Sequence, residues 1–494
     1  MKIIRVLLYI FLFIFFTSNV VQAIEEHELF AHKVVIKNGV QLSIADCLAT
    51  AFKNSPKIKR QKYNLDIAKS NLGIARSQYF PVFQAGVGFY NENNSNGIYY
   101  DKTYRNLPSV GVTINKMLWN FGKTTALIKM EKFYGLAAEY EFIDSICATL
   151  FDVKAKYYKL LRAKAMFETA KQDLEINKNF IKIARKNPDK ETADVNLQLA
   201  EIKFIKAENN LKNAQLDLAN SMYLEDIADF DIKNTDTFKL KQDFSSKFNE
   251  DVFRPQVLGF SADNAVDIAY TNSPDLQVLV NTEKAMEQSL LFVKRTYFPE
   301  LNANVGYGFN NNNVEDTNNS LQVGVNLTTA VNLMELKHSI TKADAEVNIA
   351  NNEILLFKKD LLFEVKRALN NTDKAQRQIP TAYDTVIQAQ EALKIVQEQY
   401  KSGILDYTSL QDARKDYINA LDEYINSLYN YNMALIQLEM AMHYHITDIH
   451  HKSEHAVHYH SDDLLKHLTE ALECDEHEED GSHKHKSKKF KEKL

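Results

Sequence analysis

Chain breakers are scarce here: the 494 residues include only 14 Gly and 8 Pro. That scarcity argues against a loop-rich fold built on tight turns and favours long helices. Three cysteines, Cys47, Cys147 and Cys474, give neither half of the chain a disulfide pattern. A large excess of charge is also missing. The formal net charge is −6, which gives nucleic acid no electrostatic reason to bind. Beyond residue 23 no apolar run approaches the length of a spanning helix. If the chain crosses a membrane, strands must do it.

What is present begins with a leader. Residues 1–23 read as a signal peptide: Lys2 and Arg5, an apolar stretch from Val6 to Phe16, and Val21-Gln22-Ala23 as the cleavage site. At the other end, 446–494 is charged and histidine-rich. Eleven of the 14 histidines fall between His443 and His485. His450, His451, His455, His458 and His460 are the densest set, and neutral imidazoles suit Zn, Cu or Ni. A solubilising low-complexity tail that meets metal only incidentally explains the same composition, and no spacing fixes a coordination geometry.

Between these ends one stretch occurs twice. Asn54-Ser55-Pro56 and Tyr79-Phe80-Pro81 return as Asn272-Ser273-Pro274 and Tyr297-Phe298-Pro299, both at an offset of 218 residues. Two fused halves follow, 24–225 and 261–445, joined by a polar segment over 226–260. After each Phe-Pro the pattern changes to alternation. Phe83, Ala85 and Val87, then Val110, Val112 and Ile114, alternate with small polar residues over a hairpin at 82–116. Leu301, Ala303, Val305 and Tyr307, then Leu321, Val323, Val325 and Leu327, do the same over 300–328. Such segments fit a membrane barrel, and equally a soluble sheet with one wet face. Gly86-Val87-Gly88 and Gly306-Tyr307-Gly308 lie inside strands, so they are not phosphate loops.

Long helices follow each hairpin. Ile340, Ala343, Val347, Ala350, Ile354, Phe357 and Leu361 mark one seam. That register fails near Glu364, Asn371 and Gln378, with Pro380 nearby, and resumes at Ala382. Unbroken, 340–400 would run roughly 90 Å. After Lys401-Ser402-Gly403, large Leu410, Tyr417, Tyr424, Tyr431 and Leu438 alternate with small Ala413, Ala420, Ser427, Ala434 and Ala441. This seven-residue repeat suits closely packed helices in a wall, or an ordinary coiled coil. The first half reads alike: a helix from about Thr124 to Arg185, a turn at Asn187-Pro188-Asp189, and a return helix. No nucleophile elbow, Walker loop or H-E-x-x-H falls on these elements, so no enzyme is expected.

The order of these elements, with Met117-Leu118-Trp119-Asn120-Phe121-Gly122-Lys123, Tyr400-Lys401-Ser402-Gly403 and Leu410-Gln411-Asp412-Ala413, resembles the TolC-like outer membrane factors over about residues 40–445. The resemblance implies an α+β membrane protein. Three chains would each give four strands to a 12-stranded outer-membrane β-barrel, continued by a periplasmic α-helical barrel. It implies a passive exit duct for efflux or type I secretion, partnered by a periplasmic adaptor, an inner-membrane pump and outer-membrane lipid, with no cofactor. The alternative is a periplasmic or surface coiled-coil protein. The resemblance also places the aperture and adaptor contact at Tyr400, Gly403, Ser409, Asp412, Asn187 and Asp194. Ser409 stands where the family often has a second acid, and Leu405 where it has an arginine in some members.

Overall fold

A computed structural model describes residues 39–94, 103–183, 187–224, 230–238, 248, 253, 261–311, 317–329 and 332–443. The leader, the polar hairpin tips, most of the 226–260 segment and the tail, His450 to His460 included, lie outside the described residues. The chain is mostly helical. Its elements in order are β1 (Gln41–Leu42), α1 (Ile44–Asn54), α2 (Pro56–Ser77), β2 (Val82–Asn94), β3 (Thr103–Trp119), α3 (Lys123–Ile183) and α4 (Asn187–Ser221). Then follow β4 (Asp231–Ile232), α5 (Ala262–Asn272), α6 (Pro274–Arg295), β5 (Glu300–Asn311), β6 (Thr317–Thr328), α7 (Leu333–Lys401) and α8 (Tyr407–Met442). No described helix is long and apolar enough to cross a membrane.

Packing divides the chain into two compact units. One comprises Met1–Pro56, Thr149–Arg254 and Pro380–Tyr429; the other comprises Lys57–Ala148, Pro255–Ile379 and Asn430–Leu494.

The duplicated Asn-Ser-Pro is a break between two helices. Ser55 and Ser273 are both extended, with ψ of 116° and 113°, because the residue before proline is pushed out of the helical region. The following Pro opens the next helix, where its missing N–H costs nothing. Ser273 caps it by accepting a bond from the Leu276 amide at 3.2 Å. Upstream, Ser43 and Asp46 form a reciprocal capping box that starts α1.

In the second unit the four long strands form one antiparallel sheet in the order β2-β3-β5-β6. Its register collects the alternating apolar residues on one face. Phe83 pairs with Ile114, Ile114 with Val305 and Val305 with Val323. The next row is Ala85, Val112, Tyr307 and Leu321. Gln84, Thr113, Gly306 and Gln322 form a row of the opposite face. Within one chain the apolar face is bare: Phe83 is 69% exposed and Val323 72%. Among the described residues, the outer edges of β2 and β6 have no strand partner.

The exit from this sheet into α3 is a tight joint. Phe121 (φ 54°) and Gly122 (φ 80°) are both left-handed. Asn120, buried, donates to Thr124 Oγ1 at 2.7 Å, and Phe121 stacks on Phe298 with centroids 5.1 Å apart. Arg295 Nη1 donates to the Gly122 carbonyl at 2.7 Å, and Lys123 pairs with Glu300 at 3.0 Å. Elsewhere in this unit Ala265, Val266 and Ala269 of α5 pack with Leu361, Val365 and Ala368 of α7 and with Leu435 and Leu438 of α8.

In the first unit Tyr383 meets Tyr424 edge-on at 5.4 Å, and Phe248 meets Tyr383 edge-on, also at 5.4 Å. The linking segment is therefore anchored, although its polar composition reads as a plain connector. It also supplies β4, which pairs in parallel with β1. Tyr157 Oη reaches the carbonyls of both Leu42 and Lys233, and Lys164 pairs with Asp231 at 2.6 Å.

Leu410, Tyr417, Tyr424, Tyr431 and Leu438 are all buried, as their spacing requires. On α7, however, the seam does not fail after Leu361. It steps by four to Val365 and continues through Ala368, Thr372, Ala375, Ile379, Ala382 and Val386, all buried. A single four-residue step in place of three is a stutter, which leaves Glu364, Asn371 and Gln378 off the seam. Thr372 disguises it. Its hydroxyl donates within the helix to the Ala368 carbonyl at 2.9 Å and lies 3.2 Å from the Ala434 carbonyl, so a polar residue sits buried without an unmet bond. Asn187-Pro188-Asp189, which the sequence suggests as a turn, instead opens α4, with Pro188 in its first turn.

Candidate functional site

The candidate site is the turn between α7 and α8 with the parts of α3 and α4 packed on it, all within the first unit. Gly403 at φ 80° makes the turn. Its amide donates to the Tyr400 carbonyl at 3.0 Å and the Ile404 amide to the Gln399 carbonyl at 2.9 Å, closing the end of α7. Asp406 starts α8 by accepting from the Ser409 amide at 3.1 Å and from its hydroxyl. These bonds hold the Asp406 carboxyl below its usual range. Ser409 is thus a helix-cap partner.

Tyr400 is buried, and its hydroxyl donates to Asp189 Oδ2 at 3.1 Å. Its ring meets Tyr407 edge-on, with centroids 5.9 Å apart. The Tyr407 hydroxyl accepts from Gln411 Nε2 and is also bonded by the Asn196 side chain. Burial pushes the Tyr407 phenol up, so it stays protonated across the physiological range. Two tyrosines therefore tie the second turn to the start of α4.

Further along, Gln172 Nε2 donates to Tyr417 Oη at 3.1 Å, and Arg414 pairs with Asp173. The Asp173 side chain is 7% exposed and that of Arg414 14%, and Asn177 Nδ2 donates to the same carboxylate at 3.1 Å. A buried pair of this kind holds its geometry because either partner left alone is costly.

Asp412 and Asp194 are exposed, and their side chains make no hydrogen bond or ion pair among the described residues. Asn187 opens α4 and is described in its backbone only. Tyr400 and Gly403 thus sit together as their sequence positions suggest, whereas Asp412 and Asp194 are surface carboxylates within one chain. Asp189, Tyr407, Arg414 and Asp173 complete the arrangement. Arg414 and Asp173 lie 241 residues apart and carry no local signal.

This geometry can be set against known proteins. The family model for outer membrane efflux proteins matches residues 48–222 and 265–442, more than half of the chain and both sides of the linker. The chain belongs to the outer membrane efflux protein family. Solved structures give the same fold at low identity. The Campylobacter jejuni CmeC outer membrane channel superposes with a TM-score of 0.72 at 15% identity, covering 90% of this chain and 95% of that one. The outer-membrane channel OprN gives 0.70 at 13%, with 84% and 95% covered. The open state of the Neisseria gonorrhoeae MtrE outer membrane channel gives 0.67 at 13%, with 84% and 94% covered. No curated protein matches. In this efflux protein the matched segments end at Met222, one residue past α4, and at Met442, the last residue of α8.

Proposed function

We propose that this chain is the passive exit duct of an outer-membrane efflux system and performs no catalysis. Three copies would each contribute β2-β3-β5-β6 to one 12-stranded barrel, its apolar rows toward lipid and its Gly, Ser, Thr, Asn and Gln rows toward a water-filled lumen. The observation that carries the reading is the sheet, with two edges unpaired among the described residues and an exposed apolar face. Open edges are not tolerated in hydrocarbon, so such a sheet needs further copies to close it. The leader would deliver the chain for export, and the α7–α8 turn would face the periplasm and meet an adaptor linked to an inner-membrane pump. Drugs, metal ions or secreted proteins would be selected by that pump.

Fractionation with heat-modifiable gel mobility, followed by planar-bilayer recording, tests this. A trimer in the outer membrane that conducts ions supports it; a periplasmic protein without conductance refutes it. At the tip, three copies of the exposed Asp412 would ring the opening and attract cations. Asp412→Ala should lose cation preference or cation block, and unchanged selectivity would remove that role.

A further inference from the structure

Far along the sequence from the tip residues, in the second unit, three side chains from separate elements converge. Asp144 lies on α3, Asp275 in the first turn of α6, and His443 directly after α8. One ligand atom from each lies within 4.8 Å of the others. A tetrahedral zinc-class ion with bonds of ~2.1 Å needs donors about 3.4 Å apart, a closure that carboxylate rotation can supply.

Charge and hydrogen bonding both leave the cluster incomplete. Two carboxylates face each other, Glu141 adds to the field at Asp144, and no described Lys or Arg pairs with Asp144 or Asp275. Burial and these neighbouring acids push the Asp144 carboxyl up to about 6. His443 Nδ1 is sealed from solvent with no hydrogen-bond partner among the described residues. Burial lowers the His443 imidazole below its usual range, against the opposing pull of Asp275. His443 is also held at φ 46°, a left-handed backbone rare for a side-chain-bearing residue.

A carboxylate at a helix N-terminus has its own explanation, since the helix dipole favours it. The duplicated motif argues that this is not the whole account. Asn54-Ser55-Pro56 is followed by Lys57, whereas Asn272-Ser273-Pro274 is followed by Asp275. The motif folds with either charge, and the copy with the acid has a histidine and a second acid beside it.

We propose that Asp144, Asp275 and His443 form a binding site for one divalent transition-metal ion of the zinc class, tying α3 to the start of α6 and the end of α8. Mixed nitrogen and carboxylate donors select such an ion over calcium or magnesium, and its charge balances the two carboxylates.

The test uses the full-length protein in detergent, stripped with chelator, with its histidine-rich tail retained in every variant. Zinc chloride should raise the thermal midpoint by several degrees, because only an ion bound to the folded site stabilises it. The shift should vanish in Asp144→Asn and His443→Gln, and zinc bound per chain should fall by one. Asp275→Lys installs the residue of the first copy. It should fold, raise the metal-free midpoint and abolish the zinc shift. No shift in the parent protein, or an equal shift in these variants, would overturn the site.

Discussion

Replacing Gly122 by alanine probes the joint at which the sheet becomes α3. Gly122 has φ 80°, where an L side chain costs about 1 kcal/mol relative to glycine. A Cβ there would also stand 2.9 Å from Arg295 Nη1, the atom that donates to the Gly122 carbonyl. The guanidinium can swing away, so the second cost is the lost charge-assisted bond, about 1–2 kcal/mol in this partly buried setting. Together the substitution should destabilise the folded chain by about 2–3 kcal/mol. Trp119, the only tryptophan, lies three residues upstream with its ring 6.1 Å from Phe121, so its fluorescence reports this joint during urea unfolding in detergent. The mechanism is checked by a double-mutant cycle. In an Arg295→Ala background, Gly122→Ala should cost only the backbone portion, about 1 kcal/mol. A neutral Gly122→Ala would refute both parts; an equal cost in both backgrounds would refute the role of Arg295.

Other expectations follow from the same physical rules. Arg414→Ala leaves the Asp173 carboxylate buried with only Asn177, and should cost about 3–5 kcal/mol in denaturant titrations. The paired change Arg414→Met with Asp173→Leu should recover most of that loss. Tyr400→Phe removes the bond to Asp189, worth about 1 kcal/mol, so amide exchange in 189–200 and 403–410 should quicken roughly fivefold. Cys47 is wholly buried, and burial, with the charge of Asp46 second, pushes its thiol up to about 12. It should resist thiol reagents at pH 8 until the protein unfolds, as mapped by mass spectrometry, because the reactive thiolate is absent below that pKa.

The sheet was legible in the sequence because a pleated strand has a fixed period of two, and a one-residue slip would expose every apolar residue on the wrong face. Phe83, Val112, Val305 and Val323 therefore announced their rows before any pairing was known. The tyrosine seam of α8 was legible for a similar reason, at a period of seven. The two-residue strands β1 and β4 were not, since a pairing of Gln41–Leu42 with Asp231–Ile232 has no periodicity to detect. At the tip, Gly403 and Tyr400 showed as local features, whereas the partners Asp189 and Asp173 depend on chain-distant packing. His443 read as the first of a histidine-rich tail; its place at the end of α8 sets it beside Asp144 and Asp275.

The seam of α7 shows why a polarity pattern misplaces a helix face. From Ile340 to Leu361 the steps of four and three are uniform, and continuing them lands on Glu364, Asn371 and Gln378. The physical seam moves by one residue, to Val365, Thr372 and Ile379. A heptad drifts by about 20° against a straight helix, and an extra residue in one step returns the stripe to its neighbour. Val365 and Ile379 satisfy the apolar rule, but Thr372 does not, so the true row looks interrupted. What permits threonine there is the Ala368 carbonyl one turn behind, at 2.9 Å, with the Ala434 carbonyl on the facing helix at 3.2 Å. Ala434 is one of the small residues of α8, and a small residue is what lets that backbone come within hydrogen-bond range. The small row of α8 and the polar interruption of α7 therefore have one cause, a close helix approach. Enlarging Ala434 should accordingly force Thr372 out of reach of that second carbonyl.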